Sequence, residues 1–318
     1  MQHMPLLRRP SIFRVVSASP RMVIVPLLAM ALTIACKRLP QDQPADAGHT
    51  VVAIPKERID AVNNAKKQAL YQGPTGTIEG TVSMTGDAAP DLLPFIDKIP
   101  ADCAIAANTY GKLFREGAGR AVADVLVAAT GYTGYVKPKV DHVDLRAQDC
   151  AWIQKTVALT FGQRIDVKSV DSRPYIPQLL GAPTGALLVA VPMGDAVPIF
   201  PPEPGHYVLI DSMRLYSKAD VFVVRYPTWD VTNLNGRYRI EGIPVGLTTL
   251  SALLPSTSSN ASRQVTITPN ATVHLDLTLS FDRSTFRPQV TQSSKPNSST
   301  QDAKSEPPVT SSPAGKRQ

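Results

Sequence analysis

The chain has 318 residues, a formal net charge of +7, 19% charged residues and 43% hydrophobic residues. This length allows one large or two small domains with tails, and the hydrophobic fraction excludes a chain that is disordered throughout. Three cysteines are too few for a disulfide-dense scaffold or a four-thiolate zinc site. The composition therefore indicates a folded body and leaves its function open.

Residues 1–36 contain four arginines, no acidic residue and an apolar run over 22–35. A basic segment followed by about 7–15 apolar residues is typical of a secretory signal peptide. The run is shorter than the roughly 20 residues of a transmembrane helix, and an uncleaved membrane anchor is the alternative interpretation. These arginines supply much of the net charge. The rest of the chain has no cluster of Lys and Arg that would favour nucleic-acid binding.

The end of this run, Thr33-Ile34-Ala35-Cys36, resembles the lipobox of bacterial lipoproteins. The resemblance implies that Cys36 is acylated and becomes the first residue of the mature chain, so that the membrane is reached through a lipid. Lys37 follows the cysteine, which in that family favours the outer membrane of a Gram-negative cell. We therefore expect a lipid-anchored protein of the cell envelope.

With Cys36 lipidated, two cysteines are left, Cys103 and Cys150. In an exported chain two cysteines usually form one disulfide. Closing a loop of about 48 residues would stabilise the fold by roughly 4 kcal/mol in the chain-entropy account. A pair of free buried thiols is the alternative.

The segments at either end of the body are polar. Residues 37–72 are expected to form a tether, and Ile59 and Val62 fall near helical spacing after Pro55, which predicts a short helix within 56–71. Residues 282–318 are rich in Ser, Thr, Pro, Lys and Gln, a composition that is typical of a disordered tail.

The body, about 73–281, has the pattern of β-strands. Apolar residues alternate over 157–161 and 273–279, and 221–224 is a continuous apolar run. Turn residues separate such segments at short intervals, and long helical patterns do not occur in the body. This spacing predicts an all-β sandwich rather than a parallel α/β sheet.

The most specific motif is segment 232–246, TNLNGRYRIEGIPVG. Its Asn-Gly pair is a strong signal for a type I′ hairpin. The motif and the strands after it resemble the carboxypeptidase-regulatory-like (transthyretin-like) β-sandwich module, over residues 225–281. The resemblance implies a structural or adhesive unit without chemistry of its own.

Residues 73–224 are similar to a cupredoxin-like Greek-key sandwich in the opening strand over 76–82, the two cysteines and the strand over 161–171. The resemblance places the four positions of the copper ligands near Tyr175, Asp211, Arg214 and Ser217. Blue copper is bound by two His, one Cys and usually a weak Met, so none of these residues is of the expected type. We therefore expect a cupredoxin-like domain that lacks copper, and no metal or other cofactor.

Motifs for catalysis are missing from the sequence. Neither a nucleophile elbow nor a phosphate-binding loop occurs, and the histidines of 37–318 do not have the spacing of a zinc pair. His142 lies in segment 139–144, KVDHVD, which we interpret as a polar turn, with a weak divalent-ion contact as the alternative. We expect the protein not to be an enzyme.

Tyr226, Trp229 and Tyr238 cluster around the predicted hairpin. They are expected either to pack in the core and across the hairpin or to form an aromatic platform for a sugar. The sequence thus predicts a lipid-anchored envelope protein that binds or scaffolds without catalysis. Carbohydrate or peptidoglycan binding is one alternative. Metal-dependent electron transfer is another, and the missing ligands disfavour it.

Overall fold

The computed structural model describes residues 51–92, 97–183 and 186–286. Cys36, the predicted signal segment and residues 287–318 lie outside this part of the chain. The helices are α1 (Lys56–Asn63) and α2 (Ala104–Tyr110), and the strands are β1 (Thr75–Gly86), β2 (Leu126–Thr130), β3 (His142–Gln148), β4 (Ala151–Trp152), β5 (Thr156–Thr160), β6 (Arg164–Ser169), β7 (Pro177–Leu180), β8 (Val197–Ile199), β9 (Gly205–Asp211), β10 (Arg214–Val224), β11 (Trp229–Val231), β12 (Arg237–Pro244), β13 (Gly246–Leu254), β14 (Ser259–Ile267), β15 (Thr272–His274) and β16 (Leu277–Phe281). The all-β prediction is confirmed. Neither of these two helices is long and apolar enough to cross a membrane.

The first β-sandwich combines strands from both ends of the body. One sheet has the order β12-β1-β15, with β16 also paired to β1, and the other has the order β11-β2-β13-β14. Alternate residues of β1 face the core, and Ile78, Val82 and Met84 are at most 2% exposed. They pack with Leu250 and Leu279 from the C-terminal strands in one apolar cluster. This alternation is the pattern expected of strands that bury one face.

Strand pairing crosses the predicted domain boundary at 224/225. β1 pairs antiparallel with β12 and parallel with β15 and β16, while β2 pairs with β11 and β13. The two N-terminal strands assigned to the 73–224 domain therefore complete the sandwich assigned to 225–281. The alternation in a strand shows which face is buried, but it does not show which partner strand is adjacent.

The second β-sandwich is formed by the continuous segment from β3 to β10. Its sheets have the orders β4-β3-β6-β8 and β5-β10-β9-β7. The core between them contains Trp152, Phe161, Tyr175 and Leu209, all fully buried. Because this segment leaves the first sandwich after β2 and returns before β11, the second sandwich is an insertion in the first.

Cys103 and Cys150 form a disulfide, as the cysteine count predicts, with Cα atoms 5.6 Å apart. Cys103 immediately precedes α2, and Cys150 lies in the tight turn between β3 and β4. The two cysteines pack with Ala106 and Tyr110 of α2 in a small separate cluster. The disulfide therefore attaches α2 to the second sandwich.

A buried carboxylate joins the two sandwiches. Arg115 donates from Nε and Nη2 to the two oxygens of Asp124, at 2.6 Å each, just before β2. The same carboxylate accepts the Lys155 backbone N–H at 2.8 Å, and the Thr156 hydroxyl donates to the Asp124 carbonyl at 2.8 Å. Lys155 and Thr156 belong to the second sandwich, so these bonds fix its position against the first.

The segments that flank the body on both sides pack against it. In α1, Ile59 and Val62 pack against the second core, and Arg58 donates to the Pro202 carbonyl at 3.2 Å. The helix is shorter than the segment over which helical spacing was predicted. At the other end, Phe286 packs against the first core and lies 5.5 Å from the Phe281 ring. The first residues of the predicted tail, up to Phe286, are thus part of the packed structure.

Candidate functional site

Three of the four positions that the cupredoxin resemblance assigns to copper ligands meet at one end of the second sandwich. Tyr175 lies just before β7, Asp211 ends β9 and Arg214 begins β10. Arg214 Nη1 donates to Asp211 Oδ2 at 2.8 Å, and its guanidinium carbon lies 4.9 Å from the centre of the Tyr175 ring. Ser217 lies further along β10, where its hydroxyl donates to the Cys150 carbonyl at 2.7 Å. Three of the four residues therefore form one cluster, and the fourth supports the disulfide turn.

Asp211 is fully buried and all its contacts are internal. Its Oδ1 accepts the backbone N–H groups of Ile176 at 3.0 Å and Met213 at 3.1 Å, while Oδ2 accepts from Arg214. Arg214 also donates to the Pro174 carbonyl at 3.1 Å. The carboxylate thus holds the β9–β10 turn against the segment before β7, and the arginine neutralises it.

Tyr175 continues this network toward the disulfide. Its hydroxyl donates to Asp171 Oδ2 at 3.0 Å and accepts the Cys150 backbone N–H at 3.0 Å. Burial is the main reason that the pKa of Tyr175 is raised, so the phenol stays neutral. Its ring packs 5.7 Å from Trp152. The phenol therefore acts as a fixed structural link between the core and the end of the sandwich.

The donor set at this end does not fit copper. Copper sites of this type need imidazole and thiolate, whereas the positions carry a phenol, a carboxylate, a guanidinium and a hydroxyl. The guanidinium brings a fixed positive charge to the place where a cation would bind. Cys103 and Cys150 are joined to each other, so within the described residues no free thiolate is available.

His142, Asp144 and Asp166 bring three potential metal-binding atoms within 4.8 Å of one another. His142 begins strand β3 rather than lying in a polar turn, and β3 runs parallel to β6 with Asp144 opposite Asp166. Both oxygens of Asp166 accept from Arg164, at 2.9 and 3.2 Å. The main reason that the pKa of His142 is raised is the hydrogen bond that its Nδ1 donates to Asp141 Oδ1. The three residues belong to a partly exposed network of ion pairs.

The three aromatic residues singled out in the sequence do not share a surface. Tyr238 is 3% exposed, and its hydroxyl donates to the Leu275 carbonyl. Trp229 is half-buried, packs against the second core and donates from its indole nitrogen to the Thr160 hydroxyl at 3.3 Å. Tyr226 lines a different groove from Trp229. The three side chains therefore lie in three separate environments and do not form one shared platform.

Apart from Tyr226 itself, the groove beside Tyr226 is formed by residues that were not predicted from the sequence. It has a volume of about 320 Å³, and its wall includes Tyr132, Tyr135 and Arg225. Tyr132 and Tyr135 lie in the loop after β2, in a Gly-Tyr-Thr-Gly-Tyr segment that repeats a turn residue and an aromatic residue. At Gly134, φ is +100° and a Cβ would lie 3.0 Å from the Tyr71 ring, so this loop depends on glycine there. This repeat of glycine and tyrosine is the sequence feature that could have indicated an aromatic loop here.

No protein-family model and no curated protein matches the chain. Among solved structures, it is similar to amicyanin from Paracoccus versutus, with 15% identity over 26% of this chain and 81% of that chain and a TM-score of 0.24. A reduced amicyanin variant is similar with 13% identity over 30% of this chain and 98% of that chain, also with a TM-score of 0.24.

Proposed function

We propose that this chain is a non-catalytic binding protein of the cell envelope, held at a membrane by a lipid on Cys36. In this proposal the second sandwich is a cupredoxin-like domain that has lost its copper, and the first is a transthyretin-like module. The observation that carries the proposal is the Asp211–Arg214 ion pair with the Tyr175 ring. It occupies the end of the sandwich where a redox metal would be needed and uses its polar groups for internal contacts.

The anchor is supported by the sequence around Cys36 and is compatible with how the tether joins the body. α1 is attached to the second sandwich through Arg58, Ile59 and Asn63, which donates to the Phe161 carbonyl at 2.8 Å. Residues 37–55 lie between the proposed lipid and this helix and could span at most about 65 Å when fully extended. A lipid on Cys36 would therefore keep the body close to the membrane surface.

Mass spectrometry of the N-terminal peptide from a membrane fraction tests the anchor. We expect a peptide that begins at an acylated Cys36, and a Cys36→Ser variant that no longer fractionates with membranes. An unmodified, uncleaved N-terminus in the wild type would contradict the proposal. Membrane retention of Cys36→Ser with residues 1–35 still attached would favour the uncleaved-anchor alternative instead.

Copper addition tests the loss of redox function separately. We expect the purified chain to retain less than stoichiometric copper after dialysis and to show no visible thiolate-to-copper charge-transfer band. Stoichiometric copper with such a band would contradict the proposed degenerate site. Envelope fractionation and copper binding are independent measurements, so either half of the proposal can fail alone.

A further inference from the structure

Three chain segments meet at the groove beside Tyr226, which we call the junction groove. Its lining includes Lys66 and Gln68 after α1, Tyr132 in the loop after β2, and Arg225 and Tyr226 in the link after β10. The last two segments are the connections between the inserted sandwich and the sandwich that contains it. Ligand sites in proteins occur preferentially at such interfaces between domains.

The tyrosines give the junction groove an aromatic wall with a free polar group. The Tyr132 hydroxyl is hydrogen-bonded to the Thr228 hydroxyl at 2.9 Å, which holds its ring in place. The Tyr226 hydroxyl has no hydrogen-bond partner among the described residues. Burial raises the pKa of both phenols, so both remain neutral and can donate hydrogen bonds. Such rings offer an apolar face together with a polar edge.

The charged residues that line the junction groove are cationic. Lys66 and Arg225 line the groove and neither forms an ion pair in the described part of the chain, and no Asp or Glu is among the lining residues. Burial and then the charge of Asp60 raise the pKa of Tyr135 in the groove wall, and Asp60 is itself paired with Lys137.

Some cations elsewhere on the body are paired, such as Lys137, which lies 3.6 Å from Asp60, and Arg239, which bonds to Glu241 at 2.9 Å. Others, such as the exposed Arg263, form no ion pair in the described part of the chain. Two unpaired cations beside neutral aromatic rings favour an anionic ligand.

The hydrogen-bonding groups distinguish between anions. The Gln68 side-chain amide offers both donors and an acceptor, and its backbone is held because its N–H bonds to Asn64 Oδ1 at 2.8 Å. The Tyr226 hydroxyl likewise donates and accepts. Sugar hydroxyl groups need such mixed partners, whereas a phosphate needs donors alone and makes no use of the aromatic wall.

We propose that the junction groove binds an acidic saccharide, a pyranose ring that carries a carboxylate. The ring packs against Tyr132 and Tyr226, the carboxylate pairs with Arg225 and Lys66, and the hydroxyl groups bond to Gln68 and the Tyr226 hydroxyl. This inference rests on the proposed binding function, and it does not depend on the lipid anchor. It keeps Tyr226 from the carbohydrate hypothesis and replaces Trp229 and Tyr238 with residues from two other segments of the chain.

Calorimetric titration of the full chain in detergent tests this inference with three probes: trigalacturonate, maltotriose and inorganic phosphate. We expect trigalacturonate to bind at least about tenfold more tightly than either of the others, and to weaken as salt is raised. Arg225→Gln should weaken trigalacturonate about tenfold or more. Tyr226→Leu should weaken trigalacturonate as well. The matched control is Arg263→Gln, which removes an exposed cation from β14 outside the groove and should leave binding unchanged.

Equal binding of maltotriose would overturn the assignment of an acidic sugar, and equal binding of phosphate would overturn the assignment of a saccharide. Absence of trigalacturonate binding at millimolar concentration would overturn the inference altogether. The comparison of probes uses only the wild-type chain, so a variant that fails to fold does not block the test. If trigalacturonate does not bind but Cys36 is acylated, the anchoring proposal stands and the saccharide inference fails. If trigalacturonate binds but Cys36 is not acylated, the saccharide inference stands and the anchoring proposal fails.

Discussion

Removing the Asp211 carboxylate should destabilise the second sandwich strongly. The side chain is fully buried and accepts three hydrogen bonds, from two backbone N–H groups and from Arg214. Asp211→Ala leaves a partly buried guanidinium without its partner and two backbone donors without an acceptor. Breaking a buried ion pair from one side costs about 3–5 kcal/mol. That is a large part of the roughly 5–15 kcal/mol by which a typical domain is stable.

Asp211→Asn separates the charge from the hydrogen bonds. An amide oxygen can still accept from the Ile176 and Met213 N–H groups, but it no longer neutralises Arg214. The amide nitrogen then faces Arg214 donor to donor, so the guanidinium loses both its hydrogen bond and its counter-charge. We expect a loss of about 3 kcal/mol, the lower end of the range for Asp211→Ala. The matched control is Glu241→Gln, which breaks an exposed pair with Arg239 and should change stability by less than about 1 kcal/mol.

Guanidinium unfolding followed by tryptophan fluorescence measures these losses. Trp152 lies in the second core and Trp229 packs against it, so the signal reports mainly on this sandwich. The three variants should share one denaturant slope and differ in their midpoints. If Asp211→Ala lost no more than the Glu241 control, the ion pair would not be what holds this end of the sandwich together, and the reasoning would be refuted.

Three further predictions concern other parts of the body. Cys103→Ala opens the disulfide loop and should lower the free energy of unfolding by about 4 kcal/mol, measured by denaturant titration; a change below about 1 kcal/mol would contradict it. Burial is the main reason that the pKa of Lys155 is lowered from 10.5 to about 8. The unfolded chain therefore binds more protons between these values, and stability should rise with pH from about 8 to 10. Urea titrations should show this rise in the wild type and not in Lys155→Met; an equal rise in both would exclude Lys155 as its source. A Cβ at Gly162, where φ is +97°, would lie 2.7 Å from the Ile59 side chain. Gly162→Ala should therefore loosen the packing of α1, and limited proteolysis should cleave the chain near α1 faster than in the wild type. Gly119→Ala, at a φ of +65° with nothing within 4 Å, is the control and should not.

Local patterns were sufficient for many of the strands and for the covalent link, although His142, assigned to a polar turn, begins β3. The alternation over 273–279 and the Asn235-Gly236 turn correspond to β15, β16 and the turn before β12. The pairing of Cys103 with Cys150 followed from counting the cysteines available in an exported chain. These features depend on residues close together or on a choice among very few partners, so a single sequence contains the information needed.

Partner choice over long separations was not contained in those patterns. Ile78 and Val82 indicate a half-buried strand, but they do not indicate that β1 joins strands about 160 to 200 residues later, and the domain boundary was accordingly placed between strands that pair. In the same way, the residue types at 211 and 214 disfavoured copper, but only the fold shows that the Asp211 carboxylate is fully buried.

The sequence by itself determined the class of this protein: its strands, its disulfide and the chemical types that it lacks. Only the tertiary structure decided which strands share a sheet, which charges are buried together and where a ligand could bind. The junction groove shows the reason, because Lys66, Tyr132 and Arg225 belong to segments far apart in the chain. Their proximity follows from inserting one sandwich into another, which no local pattern of apolar and polar residues encodes.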